Sequence, residues 1–231
     1  MTSLGEVRLA VFDVDGTLID SQHNIVAAVT EAWRADGRAA PEPWQVRRNI
    51  GLPLIEAIAA LAPEEGGEAH QKLARYFKES FIANRQRPGH AEPLYPGALD
   101  ALKALDEAGY LLGIATGKSR RGLDVVLERF ELQNRFVTTQ TGDDGPGKPN
   151  PYMLLRAMED AGVEPGQTAM IGDTSFDILM AVSAGAHAFG VAWGYHEPLE
   201  LREAGAHMVI ERFAELPPAL HSHFKGISAC A

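Results

Sequence analysis

The chain has 231 residues, 45% of them apolar and 23% charged, an ordinary globular composition long enough for one domain or for one domain carrying an insertion. Its 31 acids against 21 bases give a formal charge of −10, which argues against nucleic acid or an anionic membrane as the main partner, so an anionic substrate needs a local cation. The single Cys230 cannot form an intramolecular disulfide, no uncharged run reaches about 18 residues, and no basic-then-apolar leader is evident, so a soluble cytoplasmic protein is expected.

The first element is the run from Val7 to Phe12, dense in Val, Leu and Phe with one interrupting charge, which reads as a buried strand. It empties into Asp13-Val14-Asp15-Gly16-Thr17, two carboxylates in a small-residue turn, and strand ends of this kind are where open α/β sheets place their chemistry. The same letters also serve as a turn or a helix cap. A calcium loop does not fit, because the positions that require Gly and Glu are Leu18 and Asn24.

Beyond Thr17 the period becomes helical. Ile25, Val29, Ala32 and Trp33 share a face that ends at Asp36-Gly37. Pro41 and Pro43 break the chain, Pro53 opens a helix through Ala62, and Pro63 to Gly67 is a connector. Leu73, Phe77 and Phe81 then line a longer helix. This stretch is near neutral, since residues 20–93 hold ten acids and nine bases while the remainder carries the excess negative charge.

Pro88-Gly89, Pro93 and Pro96-Gly97 form a second breaker cluster, after which helix and strand alternate. The pattern predicts helix 97–108, strand 110–115, helix 119–130, a short strand near 136–139 and helix 150–161. It continues with strand 168–172, helix 175–184, strand 187–192, a helix near 198–204, strand 207–210 and helix 212–220, leaving the last ten residues as a loose tail. Such alternation implies an α/β fold with a doubly wound parallel sheet and helices on both faces. The helical block is then an insertion, with hinge segments near 18–21 and 90–95. The expected division is 1–19 with 92–231 as the core and 20–91 as the inserted unit.

Further features fall at strand ends. Thr116-Gly117-Lys118-Ser119 offers a hydroxyl and free N–H groups for an anion, or a helix cap. Lys148 lies in Gly147-Lys148-Pro149-Asn150-Pro151, where proline restricts the backbone and fixes where the lysine points, although lysines in such loops are commonly solvated. Asp173 and Asp177 stand four apart at a strand-to-helix turn, where carboxylates also cap. Taken together, Asp13, Asp15 and Asp173 are suited to hold a hard cation such as Mg2+, Thr116 and Lys148 to hold an anion, and one carboxylate is left to attack or to move a proton.

These motifs resemble the haloacid dehalogenase superfamily, in particular its phosphatases of the phosphoglycolate phosphatase and β-phosphoglucomutase type. Asp13-Val14-Asp15-Gly16-Thr17 matches the first family motif, Thr116-Gly117 the second, Lys148-Pro149 the third, and Gly172-Asp173 with Asp177 the fourth. The resemblance covers nearly the whole chain and implies a Rossmannoid core with an α-helical cap domain. It further implies Asp13 as nucleophile forming an aspartyl-phosphate, and Asp15 as general acid and base. Mg2+ would be held by Asp13, the Asp15 carbonyl and Asp173. Thr116, Gly117 and Lys148 would hold the phosphate, with Asp177 supporting Lys148 or the metal. In this family the cap selects a small phosphorylated metabolite, which points to Arg47, Arg48 and Asn49, with His23 a further polar candidate.

The expected activity is hydrolysis of a small phosphate monoester, phosphoglycolate favoured. A β-phosphoglucomutase-type phosphotransferase, a pyrophosphatase and a catalytically silent binding protein on the same fold are the alternatives. Mutase relatives use a cap histidine where this chain has Ile25, two residues from His23. Dehalogenases lack the second motif-one aspartate, here Asp15. A P-loop fails at Gly142 to Lys148 because Pro149 replaces the required Ser or Thr. His221 and His223 read as surface or tail residues without ligand partners, and monomer and homodimer both stay open.

Overall fold

The computed structural model describes residues 7–87 and 91–228, so the first six residues, the Pro88-Gly89 breaker and Cys230 lie outside the described residues. The chain opens with β1 (Arg8–Phe12). After a helical block it alternates α5 (Ala98–Glu107), β2 (Tyr110–Ala115), α6 (Arg120–Arg129), β3 (Thr138–Gln140), α7 (Tyr152–Ala161) and β4 (Thr168–Gly172). It ends with α8 (Ser175–Ser183), β5 (His187–Val191), α9 (Pro198–Glu203), β6 (Met208–Ile210) and α10 (Leu216–Ser228).

The strands form a parallel sheet in the order β3-β2-β1-β4-β5-β6. The chain winds from β1 outward through β2 to β3, then crosses back to β4 and continues to β6. The switch point therefore lies between β1 and β4, where Phe12 pairs with Ile171 and the Asp13 N–H donates to the Ile171 carbonyl at 2.9 Å. β1 shows why an apolar run suits this place. Ala10 and Phe12 enter the core shared with α5, α6 and α10, whereas Leu9 and Val11 enter the one shared with α7 and α8. Each fully buried large side chain contributes about 1.5–3 kcal/mol, so the paired layers hold the strand ends in place.

The helical block comprises α1 (Gln22–Ala35), α2 (Pro43–Arg48), α3 (Leu54–Leu61) and α4 (Gly67–Arg85), and it has its own apolar cluster, including Val29, Trp33, Val46, Ile58 and Leu73. Its two connections to the sheet run side by side. Asp20 N–H donates to the Pro93 carbonyl and Tyr95 N–H to the Leu18 carbonyl, both at 2.9 Å, around an antiparallel bridge between Ile19 and Leu94.

Three expectations are corrected. Pro43 starts a helix instead of breaking one: it occupies the first turn of α2, where a missing N–H costs nothing, and Glu42 with Gln45 forms a capping box. The short third strand lies at Thr138–Gln140, two residues later at its start than the pattern suggests. The loose tail is helical to Ser228, because Leu216, Leu220 and Phe224 recur on one face and are buried against the sheet. His223 consequently packs against His187 and Phe224 instead of lying in a tail, while His221 is exposed.

Asp36 ends α1 at the end where the helix dipole disfavours an acid. It is held there by Arg38 and by Lys72 Nζ of α4 at 2.6 Å, and these hydrogen bonds pull its carboxyl below the ordinary 3.8. A depressed carboxyl contributes stability above its unfolded value and loses it as pH falls through its folded value. Asp36→Asn is therefore expected to lower the thermal midpoint at pH 7, and the difference from the unsubstituted chain should shrink as pH falls below the ordinary carboxylate range. A pH series of melting curves for both proteins checks this.

Candidate active site

Asp13 follows β1, Thr116 follows β2 and Asp173 follows β4, so a single edge of the sheet gathers them. Lys148 comes from the long loop after β3, next to a cis peptide bond to Pro149. Its Nζ lies 2.7 Å from Asp13 Oδ1 and 2.6 Å from Asp177 Oδ1, and all three side chains are buried. The second oxygen of Asp177 accepts Thr174 N–H at 3.0 Å and the Thr174 hydroxyl at 2.7 Å. Asp177 therefore caps α8 and pairs with Lys148 at once, so the two readings of this residue are compatible.

Asp173 accepts the Thr17 hydroxyl on one oxygen and the Tyr195 N–H on the other, each at 2.9 Å. Gly16 makes that approach possible. Its φ of +91° is open to glycine, and a Cβ there would stand 2.2 Å from Asp173 Oδ2. Asp15 points away from this group: its Oδ1 accepts the Ser21 hydroxyl at 2.5 Å and pairs with Lys118 Nζ at 2.9 Å. The metal expectation involves Asp15 through its main-chain carbonyl, and the acidic side chains that cluster are Asp13, Asp173 and Asp177, each with an oxygen within 4.8 Å of the others.

Four carboxylates here face two lysines, Lys118 and Lys148, an excess of two negative charges in a sealed place. Burial pushes the Asp13 carboxyl up to about 7 against the pull of Lys148, with Asp177 and Asp15 adding to the rise. Asp173 is pushed well above its ordinary value, by burial first and then by Asp13 and Asp177. Burial works against the Lys148 ammonium, but its two carboxylates outweigh that and raise its pKa. Asp13 Oδ2 has no hydrogen-bond partner among the described residues. A buried oxygen without a donor, in an oxygen-only group with two charges in excess, fits a hard divalent cation such as magnesium.

The helical block closes over this edge through its Gly51-Leu52-Pro53 turn. A Cβ on Gly117 would stand 2.7 Å from the Gly51 carbonyl, and one on Gly147 2.1 Å from the Pro53 ring, so the turn rests directly on the second and third motifs. Thr116 is buried beneath it, and its hydroxyl accepts Lys118 N–H at 3.3 Å. Arg48 pairs with Glu200 of α9 at 2.8 Å, and its carbonyl meets His196 Nε2 at 3.1 Å. Arg48 and Asn49 line a crevice of about 370 Å³ with Trp44, Ser175, Phe176 and His196, and neither Asp13 nor Lys148 opens into it. Arg47 is half-buried without an ion pair among the described residues, and His23 is exposed.

Sequence reasoning assigned no role to Lys118, Ser21 or Tyr195. Lys118 stands inside the quoted Thr116 to Ser119 motif, and Trp193-Gly194-Tyr195-His196 follows β5 as the other site loops follow their strands. The strand-end argument extended to the fifth strand finds that loop.

The chain is matched over residues 10–191 by the haloacid dehalogenase-like hydrolase family. It is 35% identical over 205 residues to a phosphoglycolate phosphatase of Vibrio vulnificus (strain YJ016), covering 86% of this chain and 90% of that one. It is 32% identical over 236 residues to a phosphoglycolate phosphatase of Agrobacterium fabrum, covering all of both. A solved hydrolase from Pseudomonas syringae superposes with a TM-score of 0.82 at 28% identity, covering 94% of this chain and 99% of that one. This chain belongs to the haloacid dehalogenase-like hydrolase family. Within that family it is a phosphatase.

Gly16→Ala should place a methyl group against Asp173 and force the first motif to shift. Misplacement by about 1 Å costs roughly 100-fold in rate, so turnover is expected to fall at least that far. The far-ultraviolet circular dichroism spectrum should stay that of the unsubstituted chain, which separates a displaced site from a lost fold.

Proposed function

We propose that this phosphatase is magnesium-dependent and hydrolyses a small phosphate monoester, phosphoglycolate first among the candidates, through an aspartyl-phosphate on Asp13. The observation that carries this reading is the Asp13 to Lys148 contact of 2.7 Å, in a buried site where Asp15 stands two residues away with its own partners. The names of the Vibrio and Agrobacterium relatives support the substrate.

In the first half-reaction a carboxylate oxygen of Asp13 attacks phosphorus as the ester P–O bond breaks, and Asp15, in the protonated form in which the second half-reaction leaves it, gives its proton to the leaving alkoxide. In the second, Asp15 takes a proton from water, whose oxygen attacks phosphorus and releases inorganic phosphate, restoring Asp13. Lys148, the Thr116 hydroxyl and the Gly117 N–H hold the phosphoryl oxygens as charge shifts between them. Asp177 keeps Lys148 aimed, and Ser21 with Lys118 keeps Asp15 aimed. Magnesium would be held by Asp13, Asp173 and the Asp15 carbonyl, and supplies the positive charge that lets an anionic carboxylate approach an anionic phosphate.

Residues 20–91 act as the cap over a core of residues 1–19 and 92–231. Because Asp13 and Lys148 are sealed, substrate enters when the Gly51 to Pro53 turn lifts, and its return excludes water. The cap selects substrate through Arg47, Arg48 and Asn49, and of the two arginines Arg47 is the one without an ion pair among the described residues. The partner is a small phosphorylated metabolite, in cytoplasm.

The test is hydrolysis of p-nitrophenyl phosphate and a panel of natural phosphate esters, with magnesium and with excess chelator. Phosphate release is expected with magnesium alone, to vanish with chelator, and to fall by more than about 1,000-fold in Asp13→Asn with the fold intact. Substantial turnover by Asp13→Asn would remove Asp13 from the nucleophile's role.

Loss of a charge-assisted hydrogen bond costs about 1.5–3 kcal/mol. Arg47→Ala is therefore expected to raise KM by roughly 10-fold or more for a phosphate ester bearing a carboxylate, and to leave p-nitrophenyl phosphate unaffected. An unchanged KM across the panel would return Arg47 to a solvated helix face.

A further inference from the structure

We propose that His187, His207 and His223 form a binding site for a borderline divalent transition-metal ion, zinc being the reference case, at the end of the sheet opposite the carboxylate cluster. His187 is the first residue of β5, His207 directly precedes β6, and His223 lies in α10, so three separate elements converge. One ring nitrogen of each lies within 4.8 Å of the other two, and the ring centroids are 4.6, 5.1 and 5.2 Å apart. The strands are parallel, so their starts and their site-bearing ends are separated by the strand length, about 16 Å for five residues. An ion held here does not touch the reacting atoms.

The rings of His187 and His223 are oriented as ligands are. Nε2 of His187 faces the Gly166 carbonyl at 3.2 Å and so carries the proton, which turns the Nδ1 lone pair toward His223 Nε2 at 3.0 Å. A carbonyl on the far nitrogen is a common outer partner of a metal-bound histidine. The 3.0 Å contact places a single proton between two nitrogens. With Zn–N bonds of 2.0–2.1 Å and tetrahedral angles, two ligand nitrogens stand about 3.3 Å apart, so an ion takes that proton's place with a shift of a few tenths of an ångström. The exposed His207 supplies the third nitrogen by a ring turn that exchanges the 3.2 Å bond from Ala188 N–H for the ion.

Phe224 packs edge-on against His187 and His223 and Phe189 edge-on against His223 on the inner side, and the exposure of His207 leaves the outer side open for a water as fourth ligand. Burial first, then the neighbouring rings, hold His223 below the ordinary histidine value. His187 is lowered by burial and by His207, so both are neutral donors at pH 7. A donor set of imidazole nitrogens favours zinc, cobalt, nickel or copper over magnesium, which separates this site from the acidic one. Because the ion would join α10 to β5 and β6 only in the folded chain, its binding stabilises the fold.

The experiment is titration of the full chain with Co2+ in excess Mg2+, followed by visible absorption, together with melting curves with and without Zn2+. One equivalent of Co2+ is expected to give a ligand-field band that Zn2+ abolishes, and Zn2+ is expected to raise the midpoint. Losing a ligand should weaken binding by more than the roughly 10- to 100-fold that loss of an outer partner costs, in His207→Ala and in His223→Gln alike. His207 is exposed, so its variant tests the site even where the His223 variant fails to fold, and its magnesium-supported turnover should equal that of the unsubstituted chain. Absence of both the band and the midpoint shift, or their persistence in His207→Ala, overturns the proposal.

Discussion

The ammonium of Lys148, fully buried between Asp13 and Asp177, is the contact on which the rest of the molecule depends. A lone charge removed from water costs several kcal/mol, and only two carboxylates at bonding distance offset it here. Those carboxylates come from the end of β1 and the first turn of α8, and the lysine comes from the loop after β3. Satisfying one buried cation therefore requires the sheet order that brings β1 beside β4, and the loop course that carries Lys148 over both.

The charge balance then shapes what surrounds the cluster. Asp13, Asp15, Asp173 and Asp177 exceed their lysines by two charges, and burial raises the cost of keeping Asp13 and Asp173 ionised. The proposed magnesium ion would meet this demand by balancing the carboxylates, which in the proposed reaction would leave Lys148 and the N–H groups of the second motif to face the substrate phosphate. The turn at Gly51 to Pro53 presses on Gly117 and Gly147 with no room for a Cβ, so the helical block shuts the same edge from water. A low-dielectric interior makes each of these charges count for more than it would at a surface.

Much of this was legible beforehand, for physical reasons. The Val7 to Phe12 run has to be a strand covered on both faces, and helix-strand alternation admits few topologies, so the parallel sheet followed. Asp13, Thr116 and Asp173 were identifiable because carboxyl ends of parallel strands share an edge. Other features were not legible, because they depend on neighbours distant in sequence. Lys118 reads as a loop lysine until Asp15 is seen 2.9 Å away, and Tyr195 matters because its N–H meets Asp173. The periodicity read to residue 220 misses that Phe224 continues the spacing of Leu216 and Leu220, and a helix ended there leaves His223 away from His187 and His207.

By itself the sequence determined which segments bury apolar faces, where chain direction changes, and which carboxylates and lysine stand at turns, because periodicity and local backbone preference act over a few residues. Tertiary structure alone decided that Lys148 would be buried and not solvated, that Asp15 would turn from the carboxylate cluster toward Ser21 and Lys118, and that Arg48 would pair with Glu200. It also brought His187, His207 and His223 together from three elements. Each of these outcomes rests on charge and hydrogen-bond satisfaction between groups far apart in the chain, and only the folded arrangement sets those distances.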